Sequence, residues 1–310
     1  MDNIKIILLC SSRFALPALH ELGFHNQLGA VAIPGFCKEW IENVQALLNG
    51  TGIPVIELEK ETFSDKIGTV IAEHEINLGL VMTFPYKIAP AIYNLPTHGF
   101  YNVHPGPLPQ YRGGDPVFWQ IANKEQHAGV SLHQLDEGVD TGPLVIGEML
   151  KIDPLDTFGL LNSKLAVLAA KLANTLVKII GLGMTVPTRP QDETKARYFK
   201  RQGATDIMIN WKTMDADSII ALINACNPWN KGAVTRFNNQ VLRFLTASKL
   251  PEHLFETREP GTILSIEEKG ITISTINNGA ICVQFIYIDE GYLRAQLLSR
   301  MGVAPGNCFE

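Results

Sequence analysis

Short, strongly apolar runs alternate with helix-like spacing through the first hundred residues. That alternation restricts the fold more than any other feature of the chain. Residues 4–10 read IKIILLC, 28–33 LGAVAI and 77–83 NLGLVMT. Runs this short and this apolar suit strands buried on both faces, as in a parallel sheet. Between them, residues 14–22, 38–48 and 64–73 space apolar side chains at helical intervals, and PVIEL at 54–58 supplies another strand. Residues 99–103, 129–135 and 144–152 continue the strand series, and 156–180 reads as a long Ala/Leu-rich amphipathic helix. Repeated βα units predict a doubly wound α/β domain with a mostly parallel sheet.

After residue 206 the pattern changes. A helix is expected at 215–225, followed by VLRFLTA at 241–247, TILSI at 262–266, ITIST at 271–275 and AICVQFI at 280–286. Turn sequences such as Asn277-Asn278-Gly279 separate these pieces, which predicts a small β-barrel-like C-terminal domain. The expected organisation is a first domain over 1–183, a linker over 184–205 and a second domain over 206–310. With 310 residues, 46% of them hydrophobic, the chain has material for two cores.

The formal net charge of -5 gives no global reason to expect a polyanionic partner. Five cysteines, widely spaced and without a C-x-x-C pair, read as reduced thiols in a cytoplasmic protein and predict no metal site. The N-terminal MDNIKIILLC lacks a basic region followed by a signal-length apolar stretch. No run reaches the ~20 apolar residues needed to span a bilayer. Neither a G-x-G-x-x-G nor a G-x-x-x-x-G-K-[ST] motif is present. No coiled-coil seam or interface stripe fixes an oligomeric state.

Two polar loops carry the candidate chemistry. HPGPLPQYRGGDP at 104–116 holds too many breakers for a regular element. Asn102 and His104, two apart on the strand that leads into it, share a face. DEGVDTG at 136–142 offers Asp136, Glu137 and Asp140. If both strands lie in one sheet, Asp140 approaches His104. A carboxylate-oriented imidazole beside an amide is an acid/base pair with an oxyanion donor, the set that acyl transfer to an amine requires. Taken singly, a histidine in a Pro-rich loop is more often structural, and Asp-Glu-Gly more often a solvated turn. His133 is expected as a satisfied strand histidine. Ser11, Ser12 and Arg13 follow the first strand at the same sheet edge and are candidates to line an acceptor site.

NVHPGPLPQYRGG at 102–114 with LDEGVDTGPL at 135–144 resembles the folate-dependent formyltransferase family, as does the spacing of 38 between Asn102 and Asp140. The resemblance implies a formyl donor, N10-formyltetrahydrofolate, and catalytic roles for Asn102, His104 and Asp140. It implies a pterin pocket from Phe84, Pro85 and Tyr86 with Asp136, Glu137, Gly138 and Val139. Pro107 and Leu108 would line the passage to the formyl group. Tyr111, Arg112 and Gly113 are expected to hold the shape of the loop, with Arg112 also a candidate for contact with the acceptor. INW at 209–211, NPW at 227–229, PGTIL at 260–264 and APGNCF at 304–309 look like the C-terminal domain of methionyl-tRNA formyltransferases. Those enzymes carry a basic Gly-Arg-Gly loop after the second strand. Here that strand leads into PGFCKEWIENVQALLNG at 34–50, where Lys38 stands against Glu39 and Glu42. The missing loop favours a small-molecule amine, an amino sugar or a natural-product amine, with initiator tRNA as the alternative acceptor. A hydrolase releasing formate and a silent binding protein are further alternatives; intact Asn102, His104 and Asp140 speak against the last.

Overall fold

The structure is a computed structural model that describes residues 3–251 and 258–310. The chain folds into two compact units. The first comprises Met1–Pro116, Ala128–Leu150 and Asn162–Phe199; the second comprises Val117–His127, Lys151–Leu161 and Lys200–Glu310.

The apolar runs become strands in the expected order. β1 (Ile6–Cys10) is followed by α1 (Leu16–Phe24), β2 (Leu28–Pro34), α2 (Lys38–Leu47), β3 (Val55–Leu58), α3 (Phe63–Glu73), β4 (Leu78–Met82), a single-turn α4 (Pro90–Tyr93) and β5 (Phe100–His104). Every residue of β1 and β4 is buried, which is why their sequences carry almost no polar side chains. Ser12 begins the chain's turn into α1: its hydroxyl accepts from the Phe14 amide at 3.4 Å. A core of Ile7, Leu9, Ala30, Ala32, Ile67, Ile71 and Phe100 fills the space between sheet and α3.

The loop after β5 departs from the expectation of no regular element. Arg112–Gly113 forms a two-residue strand, β6, and α5 (Pro116–Ala122) starts at the loop's last proline. β7 (His127–Gln134), β8 (Leu144–Lys151) and α6 (Phe158–Gly181) follow, and β9 (Tyr198–Phe199) pairs with β6 in parallel. Glycine makes that pairing available: Gly113 has φ +95, and a Cβ there would sit 2.2 Å from the Phe199 carbonyl oxygen.

The seven-stranded sheet has the order β3-β2-β1-β4-β5-β7-β8. β1 through β5 are parallel, with Cys10 level with Met82 and Val81 level with Asn102. The loops after β1, β4 and β5 therefore emerge at one edge. β7 runs antiparallel to β5, with Asn102 opposite His133 and His104 opposite Ser131. The sheet is thus mostly parallel, with one reversal beside β5.

The segment after α6 is tied to this unit. Arg189 and Leu144 exchange backbone hydrogen bonds of 2.9 and 2.8 Å, and β9 adds the pairing with β6.

In the second unit, α7 (Ala216–Ala225) is capped by Asp215, whose carboxylate accepts from the Ser218 amide at 2.7 Å. β10 (Ala233–Phe237), β11 (Gln240–Leu250), β12 (Ile263–Glu267), β13 (Gly270–Ser274), β14 (Ala280–Ile288) and β15 (Gly291–Arg294) form an antiparallel sheet of order β10-β11-β14-β13-β12, with β15 on β14. β10 and β15 were not expected from sequence, because each is only four or five residues long and mixes charged with apolar side chains. Trp211 packs against Phe244 and Phe309, so the INW and NCF segments meet in one core. Among the described residues, no helix is long and apolar enough to cross a membrane.

Gly79 in β4 faces the ring of Phe100, and a Cβ there would lie 2.2 Å from that ring. We expect Gly79→Ala to destabilise the protein by about 1–3 kcal/mol through overpacking. Phe100→Leu in the same chain should restore part of the loss. Urea unfolding midpoints test this; an unchanged midpoint for Gly79→Ala would refute the tight approach.

Candidate active site

β5 and β7 together build the site. Asn102 and His104 share one face of β5, and His133 joins them because it lies directly opposite Asn102. Asp140 comes from the turn after β7. That turn leaves β7 beside the start of β5, where the Leu135 amide donates to the Phe100 carbonyl at 2.9 Å, and returns where the Gln134 amide bonds the Pro143 carbonyl at 3.0 Å. The two strands lie in one sheet, and because β7 is reversed Asp140 reaches His104 by folding back across the β5–β7 pair.

The four side chains form one contact cluster. The Asn102 Nδ2 donates to Asp140 Oδ1 at 3.1 Å and lies 3.2 Å from His133 Nε2. The Gly113 amide donates to Asp140 Oδ2 at 2.9 Å. Asp140 Oδ2 lies 3.5 Å from His104 Nδ1, and Asp140 Oδ1 lies 3.5 Å from His133 Nε2. The three ionisable side chains expose no more than a tenth of their surface.

Neighbouring carbonyls fix both tautomers. His104 Nε2 lies 2.6 Å from the Tyr111 carbonyl and His133 Nδ1 lies 3.0 Å from the Gln134 carbonyl. A carbonyl only accepts, so those nitrogens carry the protons. Neutral His104 therefore turns a bare Nδ1 toward Asp140, and neutral His133 turns a bare Nε2 toward the Asn102 amide. His104 is set to accept a proton at Nδ1, next to the carboxylate that would stabilise the resulting cation. Both hydrogens of the Asn102 amide are engaged, one by Asp140 and one by His133. Donation to an oxyanion requires that it release one.

Burial pushes the His104 imidazole below its ordinary value, against the opposing pulls of Asp140 and the Tyr111 carbonyl. Burial alone would raise Asp140, but His104, His133 and the Gly113 amide together bring it well below the usual carboxylate range. A cationic His104 contributes to that lowering, yet burial favours the neutral ring.

Arg112 spends its donors inside the protein. Its side chain is fully buried: Nη1 and Nη2 reach Glu193 at 2.8 and 2.6 Å, Nη1 reaches Tyr198 at 3.0 Å, and Nε and Nη2 reach Gln191 at 3.1 and 2.9 Å. Its donors hold the 191–198 segment.

The other predicted residues fall into two groups. Phe84 and Tyr86 form a partly exposed aromatic wall with Phe63, at centroid distances of 5.3 to 6.1 Å, and Leu135 packs against the same core. Pro85, Glu137, Gly138 and Val139 are exposed. Asp136 shapes the turn: it accepts from the Gly138 amide at 3.0 Å and the Thr141 hydroxyl at 2.6 Å. An apolar wall beside a turn rich in backbone polar groups has the chemistry a pterin requires. Leu108 is held by its amide donating to Ser131 Oγ at 3.0 Å, and Pro107 precedes it, half-buried. Ser11 donates to the Thr83 carbonyl and Ser12 bonds the Thr83 hydroxyl at 2.9 Å, which ties the ends of β1 and β4. Arg13 pairs with Glu39 at 2.9 Å on the surface. Among the described residues, no group of three or more His, Cys, Asp or Glu is arranged to hold a metal.

His133 is a buried strand histidine with a partner at each ring nitrogen, as expected, but its place beside Asn102 follows only from pairing strands 99–103 and 129–135 in antiparallel register. Gln191 was not expected at the site. Gln191 had no signal beyond its position in a Pro-rich stretch.

A mostly parallel sheet with a buried amide–imidazole–carboxylate cluster at its polar edge defines a group-transfer enzyme of the α/β class. The profile of the formyl transferase family matches residues 38–177, and that of its C-terminal domain matches 203–291. A methionyl-tRNA formyltransferase of Pelotomaculum thermopropionicum is 30% identical over 287 residues, covering 90% of each chain. The chain belongs to the formyl transferase family and is a folate-dependent N-formyltransferase. A sugar 3N-formyl transferase solved in the presence of dTDP and 5-N-formyl-THF superimposes with a TM-score of 0.69 at 19% identity, covering 91% of this chain and 98% of that one. An N-formyltransferase from Helicobacter canadensis, in complex with folinic acid and dTDP-3-aminofucose, gives a TM-score of 0.68 at 20% identity, covering 90% and 98%.

The tautomer assignment is directly measurable. Nitrogen-detected NMR of histidine-labelled protein should show His104 protonated at Nε2 and His133 at Nδ1 at neutral pH. His104 should take its second proton only below about 6.5, the ordinary histidine value. A folded-state value lowered in this way favours folding above the unfolded value, and that contribution declines as pH falls below it. A His104 midpoint above 6.5 would overturn the assignment.

Proposed function

We propose that the chain transfers the formyl group of N10-formyltetrahydrofolate to the primary amine of a small molecule, an amino sugar or a natural-product amine. The buried Asn102–His104–Asp140 cluster carries the chemical part of this reading. The acceptor nitrogen forms a bond to the formyl carbon, the bond from that carbon to N10 breaks, and one proton passes from the amine to N10. His104 accepts the proton at Nδ1, the bare nitrogen that faces Asp140 at 3.5 Å. Asp140 stabilises the imidazolium and favours delivery of the proton to the departing nitrogen. Asn102 gives up one of its internal hydrogen bonds and donates to the oxyanion that develops on the formyl oxygen. Phe84, Pro85 and Tyr86 with the 136–139 turn hold the pterin end, and Pro107 and Leu108 flank the passage.

The sheet edge supports a small acceptor. β2 passes into α2 through Gly35, Phe36 and Cys37 alone. Carboxylates lie over that turn: a Cβ on Gly35 would sit 2.5 Å from Glu59 Oε1 and 2.7 Å from Glu57 Oε1. Arg13, the nearest exposed cation after β1, is paired with Glu39. An acidic edge opposes the phosphate contacts that RNA binding needs. Phe36, 67% exposed and edge-on to Tyr86, offers a ring face for a sugar or other small acceptor. Ser11, Ser12 and Arg13 stand at the same edge.

Action on initiator methionyl-tRNA is the second reading. It is favoured by the name of the sequence relative and by a cationic–aromatic row in the second unit, where Lys231 sits 4.2 Å and Arg243 5.6 Å from the Tyr287 ring. Incubation with N10-formyltetrahydrofolate and either a nucleotide-linked amino sugar or charged initiator tRNA separates the two. We expect formylation of the amino sugar with little salt dependence. Efficient formylation of the tRNA that collapses with added salt would establish the second reading.

Asn102→Ala should lower kcat by about 10²–10³-fold. Asp140→Asn should lower it by on the order of 10²–10⁴-fold, with the KM for the folate donor nearly unchanged in both. Steady-state kinetics with the preferred acceptor provide the check, and near-normal turnover in either variant would remove that residue from the mechanism.

A further inference from the structure

Gln191 lies in the segment after α6, and its side chain is buried. Its Nε2 donates to the carbonyl oxygens of Asp140 at 2.9 Å and Gly142 at 2.8 Å. Its Oε1 accepts from Arg112 Nε at 3.1 Å and Nη2 at 2.9 Å. A carboxamide has two N–H donors and two acceptor positions, so all four are occupied.

Both sides of that network end at the same carboxylate. Asp140 has φ +57, a backbone state that a non-glycine residue keeps only when its surroundings fix it. The two carbonyls held by Gln191 are that of Asp140 itself and that of Gly142, the second residue after it. On the other side, Arg112 precedes Gly113, whose amide donates to Asp140 Oδ2 at 2.9 Å. The backbone around that donor is held by the same segment: the Arg112 amide bonds the Arg197 carbonyl at 3.0 Å, and the Gly114 amide bonds the Phe199 carbonyl at 2.8 Å. One side chain therefore links the backbone that carries the carboxylate to the backbone that donates to it.

We propose that Gln191 is a positioning residue for formyl transfer, setting the Asp140 carboxylate against His104 and Asn102 by locking the Asp140–Gly142 turn to the Arg112–Gly113 strand. This rests on the reading of Asp140 as the partner of His104 during transfer. Gln191 touches neither substrate nor reacting atoms; it acts through Asp140. No other neutral side chain of this size supplies two donors and two acceptors here. Gln191→Glu keeps an oxygen for Arg112 but turns a second oxygen on two carbonyls. Gln191→Met fills the volume and supplies neither donor nor strong acceptor. Arg112 retains Glu193 and Tyr198 in both variants.

The test uses the full chain with N10-formyltetrahydrofolate as donor and a nucleotide-linked amino sugar and initiator methionyl-tRNA as acceptor probes. It measures kcat, the KM for the donor, the urea midpoint and the His104 titration by NMR. A displacement of about 1 Å at a reacting group costs on the order of a hundredfold in rate. We expect both variants to lose about ten- to a hundredfold in kcat with the donor KM within about threefold of wild type. The His104 midpoint should also move lower, because Asp140 no longer supports its cation. Unchanged kcat and an unmoved midpoint, alongside a slow Asp140→Asn, would overturn the role of Gln191 and leave that of Asp140 intact. A moved midpoint with normal turnover in Asp140→Asn would instead remove Asp140 from the chemistry and Gln191 with it. A kcat loss that merely tracks a lowered urea midpoint, with His104 titrating as in wild type, would make Gln191 a structural residue and refute the proposal.

Discussion

An ionised carboxylate with only a tenth of its side chain exposed has to be matched by donors that do not depend on pH. Asp140 is matched by the Gly113 peptide and the Asn102 amide, neither of which titrates. This constraint orders the rest of the site. Burial favours a neutral His104 beside it, with a bare nitrogen turned inward. Had the carboxylate depended on a lysine or arginine, the imidazole would share its field with a permanent cation and its proton affinity would fall further. Arg112, the one arginine close by in sequence, is turned into the 191–198 segment and does not contact the carboxylate.

The reversed strand makes that arrangement reachable. In an all-parallel sheet, the loop after the strand next to β5 would leave from the same edge as the 104–116 loop and would not cross the pair. β7 runs the other way, so the chain leaves at the start of β5, and the 135–143 turn brings Asp140 back to Asn102 and His133 before β8 begins beside the end of β7. The return passes Asp140 across the face that already presents the amide and the two imidazoles. A left-handed residue at that crossing lets the turn tighten, and aspartate tolerates it better than most non-glycine residues.

The sequence made the sheet legible where burial leaves no choice of residue. β1, β2 and β4 are nearly uniform apolar strings, and their bounds follow from composition. Asn102, His104 and Asp140 could be named because their segments, NVHPGPLPQYRGG and LDEGVDTGPL, resemble those of the formyltransferase family; taken singly, each residue type has a commoner structural reading. The misjudged parts share a different cause. Arg112 reads in sequence like an exposed cation in a polar loop, and only the partners contributed by residues 191–198, some 80 positions away, show that it is buried. His133 reads like any strand histidine until the register sets it opposite Asn102. The two-residue strands β6 and β9 have no periodicity at all; they exist because Gly113 lets two backbones approach. Long-range pairing decides each of these cases, and single-sequence patterns carry little of it.

The same distinction separates the chemistry from the acceptor. Formyl transfer requires particular atoms at fixed mutual distances, so its requirements are written in residue identity on β5, β7 and the Asp140 turn. On the small-amine reading proposed above, acceptor choice is a property of the edge formed after β1, β2 and β3, where charge and shape add up over many side chains. In this chain that edge is short and holds more carboxylates than cations: three residues join β2 to α2, Glu57 and Glu59 overlie the turn, Glu39 is paired with Arg13, and Lys38 is the exposed cation at the start of α2. Such an edge disfavours a phosphate backbone approaching from that side, whatever the second unit contributes. On the same reading, a small amine would rest on the aromatic faces of Phe36 and Tyr86 and pass Leu108 to the bare nitrogen of His104. Lengthening the β2–α2 turn with arginines would reverse the sign of the edge without moving Asn102, His104 or Asp140, so acceptor class and transfer chemistry can change independently on this fold.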